Sequence, residues 1–302
     1  MKNNVYIPTC LLSLLFLCFP CCQNNNNTNA DTDSTAIRFG LMPTIDCLPF
    51  YYADSTGIFD SLGINVKLIT FESAIDADTS FVKGHIDAIA SDLVKVCLWE
   101  ETDSIHTIMS GDLNLWLVTS RNARILKTES LKEKIIGITR HSAVDFFTDK
   151  VLESVGLNSM DLNKPQINNL RLRTLMTDQN QYDGSVLPEP YVSEAVARGA
   201  RRLKSSDDIN LSGMLCVAVS DSLYKHKGNE TSKLKMAYDK AVEELNADKL
   251  LNLCSFLPSK YTMHIPDSIF SHEPLHKSSS HNDSLKLVIK KWLEERNLIK
   301  VR

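Results

Sequence analysis

The stretch from Phe39 to Val94 alternates short apolar runs rich in β-branched residues with longer helical ones, and it places a polar turn where strands end. A strand over 37–41 runs out into Met42-Pro43-Thr44-Ile45-Asp46, and a helix over 48–59 follows, with Asp46 positioned to cap it and Pro49 tolerated in its first turn. Gly63 closes that unit before a strand over 64–71. Ser73 then caps a helix over 74–83, and a short buried strand over 86–90 ends in Ser91-Asp92 ahead of a helix over 93–101. A chain ordered in this way buries its apolar faces as a mostly parallel sheet covered by helices. Small molecules bind such sheets at the carboxyl ends of the strands, so the polar turns at 42–46 and 91–92 are the first candidates for a site.

A second set of elements follows. Strands are predicted over 104–110, 115–120, 135–139, 167–172, 184–187 and 213–220, and helices over 143–155, 191–198, 232–257 (broken near 246–248) and 283–296. The 143–155 helix carries Val144, Phe147, Val151 and Val155 on one stripe, and the last helix turns Leu285, Val288, Ile289, Trp292 and Leu293 inward. Two extended crossings, near 115–120 and 215–220, join the two α/β sets and leave a hinged cleft between them.

At the N-terminus, Lys2 and an apolar run over 5–19, interrupted by Pro8, read as a secretion signal; a spanning helix needs about 20 apolar residues, and this run is shorter. Cys10, Cys18, Cys21 and Cys22 cluster there, and a cysteine at the end of such a run marks a bacterial lipoprotein. Residues 1–22 are read as the signal and Cys22 as the acylated residue, with Cys18 or Cys21 as alternatives and an ordinary cleaved signal as the plainer reading. Residues 23–36, rich in Asn, Asp and Thr, cannot bury a core and are read as a flexible tether. No second long apolar run follows, so lipid is expected to hold the protein at a membrane that the chain itself does not span.

The remaining stretch of about 270 residues, in a chain of 43% hydrophobic content, suffices for one large or two modest domains. A net charge of −4 with interspersed signs lacks the basic patch that nucleic acid requires. Cys47, Cys97, Cys216 and Cys254 form no C-x-x-C pair; the last three sit in apolar surroundings as buried thiols, and spacing alone does not decide whether any two are joined.

Phe50-Tyr51-Tyr52-Ala53 is followed by Gly57-Ile58-Phe59 and Gly63, then by Phe81, Gly84, Ile86-Asp87-Ala88 and Asp92, and later by Leu187-Pro188-Glu189-Pro190 with Ala195 and Gly199. Each motif is weak alone. In this order and spacing, across roughly 37–219, they resemble the periplasmic solute-binding proteins of ABC importers, in the branch that binds nitrate, sulfonates or thiamine precursors. The resemblance implies a two-lobed α/β fold of the type 2 periplasmic binding protein class with two hinge crossings, lobe 1 formed by 37–116 with 217–302 and lobe 2 by 117–216. It further implies a monomer without a cofactor, located in the cell envelope and facing the periplasm. Such a protein captures a small polar solute, anionic or heterocyclic, hands it to an ABC permease and does no chemistry. One departure bears on the ligand. Sulfonate binders of this family carry a glycine- and serine-rich turn before the second-lobe helix, and here the turn is Arg140-His141-Ser142-Ala143. Sulfonate, nitrate and pyrimidine are therefore not carried over.

The candidate ligand contacts each have a structural alternative. Thr44 with Asp46, and Ser91 with Asp92, line the cleft or merely cap the helices that follow. Arg140 pairs with an anionic group, with His141 beside it and Ser142 donating at the helix start, or the three form a solvated turn. Glu189 accepts from a ligand amine or hydroxyl with Tyr191 packed on the solute, or it only favours the dipole of a helix shaped by Pro188 and Pro190. Asp112, Asn114 and Trp116 precede the first crossing; Trp116 either walls the cleft or, as the preferred reading, belongs to the core. His272-Glu273-Pro274-Leu275-His276 matches the H-E-x-x-H of zinc peptidases, with Glu295 further on. A proline inside a helix costs about 3 kcal/mol, so Pro274 spoils the shared face and no metal is expected. The remaining alternative is an enzyme on the same scaffold, of the thiamine-pyrimidine or menaquinone biosynthesis type, whose cytoplasmic substrates conflict with a secretion signal.

Overall fold

The first sheet grows outward from β1 (Ile37–Leu41), which is buried at every residue except Arg38. In this computed structural model, which describes residues 35–248, 252–262, 274–279 and 282–300, β1 pairs in parallel with β2 (Val66–Thr70) on one side and β3 (Ala88–Asp92) on the other. The signal with Cys22, most of the tether, and His272 with Glu273 lie outside the described residues. Between β1 and β2 the expected 48–59 helix is two pieces, α1 (Leu48–Ser55) and α2 (Ile58–Ser61), because Gly57 at φ +73° turns the chain out of the helical region between them. α3 (Ala74–Val82) joins β2 to β3, and α4 (Leu93–Trp99) leads on to β4 (Ile105–Gly111).

The second sheet contains β5 (Leu115–Thr119), β6 (Ile136–Gly137), β7 (Gly184–Pro188) and β8 (Arg201–Ser205), in the order β6-β7-β5-β8. β9 (Leu215–Ser220) then returns to the first sheet and inserts between β3 and β4, giving β2-β1-β3-β9-β4. It runs antiparallel to both neighbours. The expectation of a mostly parallel sheet is corrected to two mixed ones: in the second, only β6 and β7 are parallel. The cause is the route of the chain. Leu215 starts opposite Asp92, so β9 enters the sheet from the end at which β3 leaves it and must run the other way.

The crossings fall just before the strands expected to carry them, at 112–114 and 206–214. Gly111 is paired with Leu215 in one sheet and Trp116 with Ser205 in the other, so the two crossings lie side by side at both ends. The Leu115 N–H donates to Ser206 Oγ at 3.2 Å and the Gly213 N–H to Asp112 Oδ1 at 3.2 Å, tying the pair together.

α5 (Ala143–Glu153), α6 (Leu170–Asp178) and α7 (Tyr191–Ala197) complete the second lobe. The strand predicted over 167–172 is instead the start of α6. Asn169 Oδ1 accepts from the Leu172 N–H at 2.9 Å as an N-cap, and that capped turn prevails over the Leu-Arg-Leu-Arg alternation. After β9 come α8 (Asp221–His226), α9 (Gly228–Ala247), α10 (Ser259–Thr262) and α11 (Asp283–Glu295). α11 buries Leu285, Ile289, Trp292 and Leu293, while Val288, expected inside, is largely exposed. The helix touches both lobes. Lys286 reaches Glu100, just past α4, at 2.6 Å; Trp292 packs edge-on against Phe146 of α5 at 5.5 Å and donates Nε1–H to Asp149 Oδ2 at 3.1 Å. Cys47, Cys97 and Cys216 are buried free thiols, and Cys254 is buried as well. Among the described residues no helix is long and apolar enough to cross a membrane.

Trp292 is 2% exposed and ties α11 to the second lobe, so truncating it leaves a cavity and removes one hydrogen bond from Asp149 Oδ2, which keeps Arg296 as its partner. Trp292→Ala is expected to cost about 3–5 kcal/mol in chemical denaturation. Leu287→Ala, on the exposed face of the same helix, should stay within about 0.5 kcal/mol.

Candidate ligand-binding cleft

The carboxyl ends of β1, β3, β6 and β7 converge on the space between the sheets, and the residues just past them line two chambers. The inner chamber has a volume of about 90 Å³. Its first-lobe wall carries Thr44, Asp46, Asp78, Ser91 and Asp92; its second-lobe wall carries Thr139, Ser142, Asn168 and Arg173. The outer chamber, about 490 Å³, is bordered by Asp112, Asn114, Trp116, Glu189, Arg202 and His276, and it shares Asp46 with the inner one. The lobes touch at the rim. The Ile45 N–H donates to the Glu189 carbonyl at 3.0 Å, Ser73 forms a backbone bridge with Asn169, and Asn169 Nδ2 donates to Glu72 Oε2 at 3.3 Å.

Local folding places each polar group. Asp92 ends β3 and caps α4, its Oδ1 accepting from the Lys95 N–H at 3.0 Å, so one residue serves as cap and as cleft wall. Ser142 does the same for α5: its Oγ accepts from the Val144 N–H at 3.2 Å and donates to the Thr139 carbonyl at 2.7 Å. Arg173, on α6 and 1% exposed, donates Nε–H to the Ile167 carbonyl at 3.0 Å, Nη1–H to the Val186 carbonyl at 2.7 Å and Nη2–H to Thr139 Oγ1 at 2.7 Å. All its partners are neutral, and it forms no ion pair among the described residues.

The first-lobe wall is acidic. Asp78 is paired with Lys95 at 3.1 Å, and burial raises its carboxyl above the usual range in spite of that cation. Burial also pushes Asp46 and Asp92 up to about 6; Lys95 and the Lys95 and Ala143 amides oppose the shift at Asp92. Both aspartates lie deep in the molecule yet keep accessible surface, because that surface faces the chambers. Among the described residues Asp46 has no ion pair, and Cys47 Sγ reaches it in a weak hydrogen bond at 3.5 Å, with the Thr44 hydroxyl also near. Thr44 Oγ1, on a side chain 3% exposed, has no hydrogen-bond partner in good geometry, although it lies near enough to Asp46 and Cys47 to favour their charged forms. Burial, then the Asp46 charge, drives the Cys47 thiol well above its ordinary value, the reverse of what activates a cysteine nucleophile. Burial lowers Arg173 to about 9, so it stays protonated at neutral pH.

Of the residues singled out from sequence, Thr44, Asp46, Ser91, Asp92 and Ser142 come together at the inner chamber, and Glu189 stands at the outer one. Glu189 is engaged there, paired with Arg202 at 2.8 Å and accepting from the Ser193 N–H at 3.0 Å. Arg140 and His141 are not in either chamber. Arg140 donates to the Lys164 carbonyl at 3.2 Å, and His141, at φ +54°, turns the chain so that only Ser142 faces the cleft. Tyr191 is 2% exposed inside an apolar cluster. Trp116, read as core, instead borders the outer chamber with Arg202 over its ring at 5.4 Å. Asp78, Thr139 and Arg173 escaped the sequence reading; Arg173 was hidden by the strand assigned to 167–172. His276 is bonded to Asp112 at 2.6 Å, and the other two residues of the zinc-peptidase motif lie outside the described residues. Among the described residues no group of three or more His, Cys, Asp or Glu side chains is placed to hold a metal.

No protein-family model and no curated protein matches the chain. Solved structures do. The alkanesulfonate-binding protein SsuA from Xanthomonas axonopodis pv. citri, bound to MOPS, is 12% identical over 88% of this chain and 95% of its own, with a TM-score of 0.75. The periplasmic aliphatic sulphonate-binding protein SsuA from Escherichia coli is 15% identical over 88% and 89%, at 0.71. The periplasmic nitrate-binding protein NrtA from Synechocystis PCC 6803 is 11% identical over 88% and 83%, at 0.72. The chain therefore has the two-lobed fold of the type 2 periplasmic binding proteins, with two hinge crossings.

The raised aspartates give the cleft a pH signature. The native state holds protons on Asp46 and Asp92 that the unfolded chain has released, so the contribution of these two groups to stability falls as pH rises between the unfolded value near 4 and the folded value of about 6, and is level above it. Asp46→Asn should match wild type in urea midpoint near pH 4 and exceed it at pH 7.5, the gap opening across the interval from about 4 to about 6.

Proposed function

We propose that this protein is the solute-binding component of an ABC importer. It captures a small polar solute between its lobes, with Thr44, Asp46, Ser91, Asp92 and Ser142 among the contacts, and presents the closed form to a permease. The observation that carries this reading is the inner chamber, which is lined from both lobes and in which Asp46 and Arg173 form no ion pair among the described residues. Ligand sites of this kind sit where strand ends converge, with a few polar groups fixed among apolar walls. The fold supports the reading, since the neighbours described above are named as binding proteins for sulfonates and nitrate. The reading extends to a lipid anchor at Cys22 that holds the protein, as a monomer, in the cell envelope facing the periplasm; the apolar run over 5–19 that ends in cysteines supports the anchor. Burial and the Asp46 charge, which raise the Cys47 thiol, speak against a cysteine nucleophile at that place in the cleft.

Ligand that binds only the native state stabilises it by about 2.7 kcal/mol at one hundred times its dissociation constant. A thermal-shift screen of the mature protein against a broad panel of small polar metabolites is expected to return at least one solute that raises the melting temperature in proportion to the logarithm of its concentration. A flat response across the panel would remove the proposal.

A further inference from the structure

The two walls of the inner chamber carry opposite charges that the protein leaves unmatched. On the first lobe, Lys95 serves Asp78 directly at 3.1 Å and lies close enough to Asp92 to lower its affinity for a proton. Asp46 is left with no ion-pair partner among the described residues. On the second lobe, Arg173 is 1% exposed and spends three N–H groups on neutral acceptors, with no carboxylate beside it among the described residues. The other charged groups near Asp46 are already satisfied. In the outer chamber Glu189 pairs with Arg202 at 2.8 Å, and Asp112 with His276 at 2.6 Å. Buried charges without partners are costly, and a solute that supplies the missing partner recovers that cost on binding. Thr44 Oγ1, buried and with no hydrogen-bond partner in good geometry among the described residues, supplies an additional fixed dipole on the wall of Asp46.

We propose that the solute is a small zwitterion, its cationic group seated against Asp46 and Thr44 on the first lobe and its acid group against Arg173 on the second. This deepens the binding reading above and rests on it. A plain anion would satisfy Arg173 but would lie beside the carboxylates of Asp46 and Asp92. A plain cation would satisfy Asp46 and leave Arg173 bare. The size fits: at about 10–15 Å³ for each water-sized group, a chamber of about 90 Å³ holds a solute of roughly half a dozen heavy atoms.

Calorimetry on the mature protein with matched probes tests this. The zwitterions are α-amino acids, 3-aminopropanoate and 3-aminopropanesulfonate; their singly charged counterparts are propanoate, propanesulfonate and propylammonium. At least one zwitterion is expected to bind about tenfold or more tighter than both of its singly charged counterparts, the value of one added charge-assisted pair. In Asp46→Asn, and to a smaller degree in Thr44→Val, that preference over the acid counterpart should shrink toward one, while circular dichroism confirms that each variant is folded. Equal binding of the acid alone or the ammonium alone overturns the proposal, as does a preference that survives in folded Asp46→Asn. It is also overturned if only singly charged or uncharged solutes from the metabolite panel stabilise the protein; the importer reading then stands. Silence from every solute sinks both.

Discussion

The pairing of β9 between β3 and β4 is the constraint from which the rest of the molecule follows. It brings a strand back across roughly a hundred residues and sets Leu215 opposite both Asp92 and Gly111. Because a strand alternates its faces residue by residue, a slip of one position would turn Cys216 and Ala218 out of one apolar cluster and Leu215, Val217 and Val219 out of the other. With the register fixed, the end of β4 and the start of β9 lie together, so the chain leaves and re-enters the first lobe at one place. The second sheet repeats the arrangement with Trp116 opposite Ser205. Two adjacent crossings bend more easily about a shared line than two distant ones, which is the geometry of a hinge.

The same geometry explains why the polar groups gather where they do. Three parallel strands of the first sheet end at the cleft, and the helices after β1 and β3 begin there. A helix start needs an acceptor for its free N–H groups, and Asp92 and Ser142 supply it from opposite lobes. Structural capping therefore delivers side chains to the cleft wall without further design. Asp46 and Arg173 are different. Asp46 caps nothing through its side chain, and Arg173 has donors to spare beyond the three it commits to the loop and strand around it. Their burial is not explained by the local fold.

The first lobe was legible because its elements carry their own punctuation: Gly57, Gly63, Ser73, Gly84 and the Ser91-Asp92 turn mark ends that the structure keeps to within a few residues. The second lobe was less so. At 167–172 a period of two in leucine and arginine looked like a strand, yet one asparagine cap was enough to wind the segment into α6. β8 was missed because Arg201-Arg202-Leu203-Lys204 carries little apolar signal; it lies at the end of its sheet, where one flank is free to be polar. In the site, position at a strand exit was readable and direction was not. Arg140 and Ser142 sit two residues apart, and the positive φ of His141 between them turns one toward Lys164 and the other into the cleft. The contribution of Arg173 depends on which face of α6 meets β7, a tertiary fact with no local mark.

The charges and the lobe contacts are also coupled. The backbone bond from Ile45 to Glu189 is made by the residue next to Asp46, and the bridge between Ser73 and Asn169 lies at the starts of α3 and α6, the helices that carry Asp78 and Arg173. Separating the lobes would return water to Asp46 and Arg173, and each would then be solvated without help. Bringing the lobes together removes that water from both. The empty closed form thus carries a desolvation penalty that the open form does not, and a bound solute shifts the balance only by as much as it relieves that penalty. A guest that satisfies one wall leaves the other still charged and dry. On the binding reading proposed above, a guest that satisfies both would favour the closed form twice over, and the rim contacts of Ile45 and Asn169 would report what lies inside.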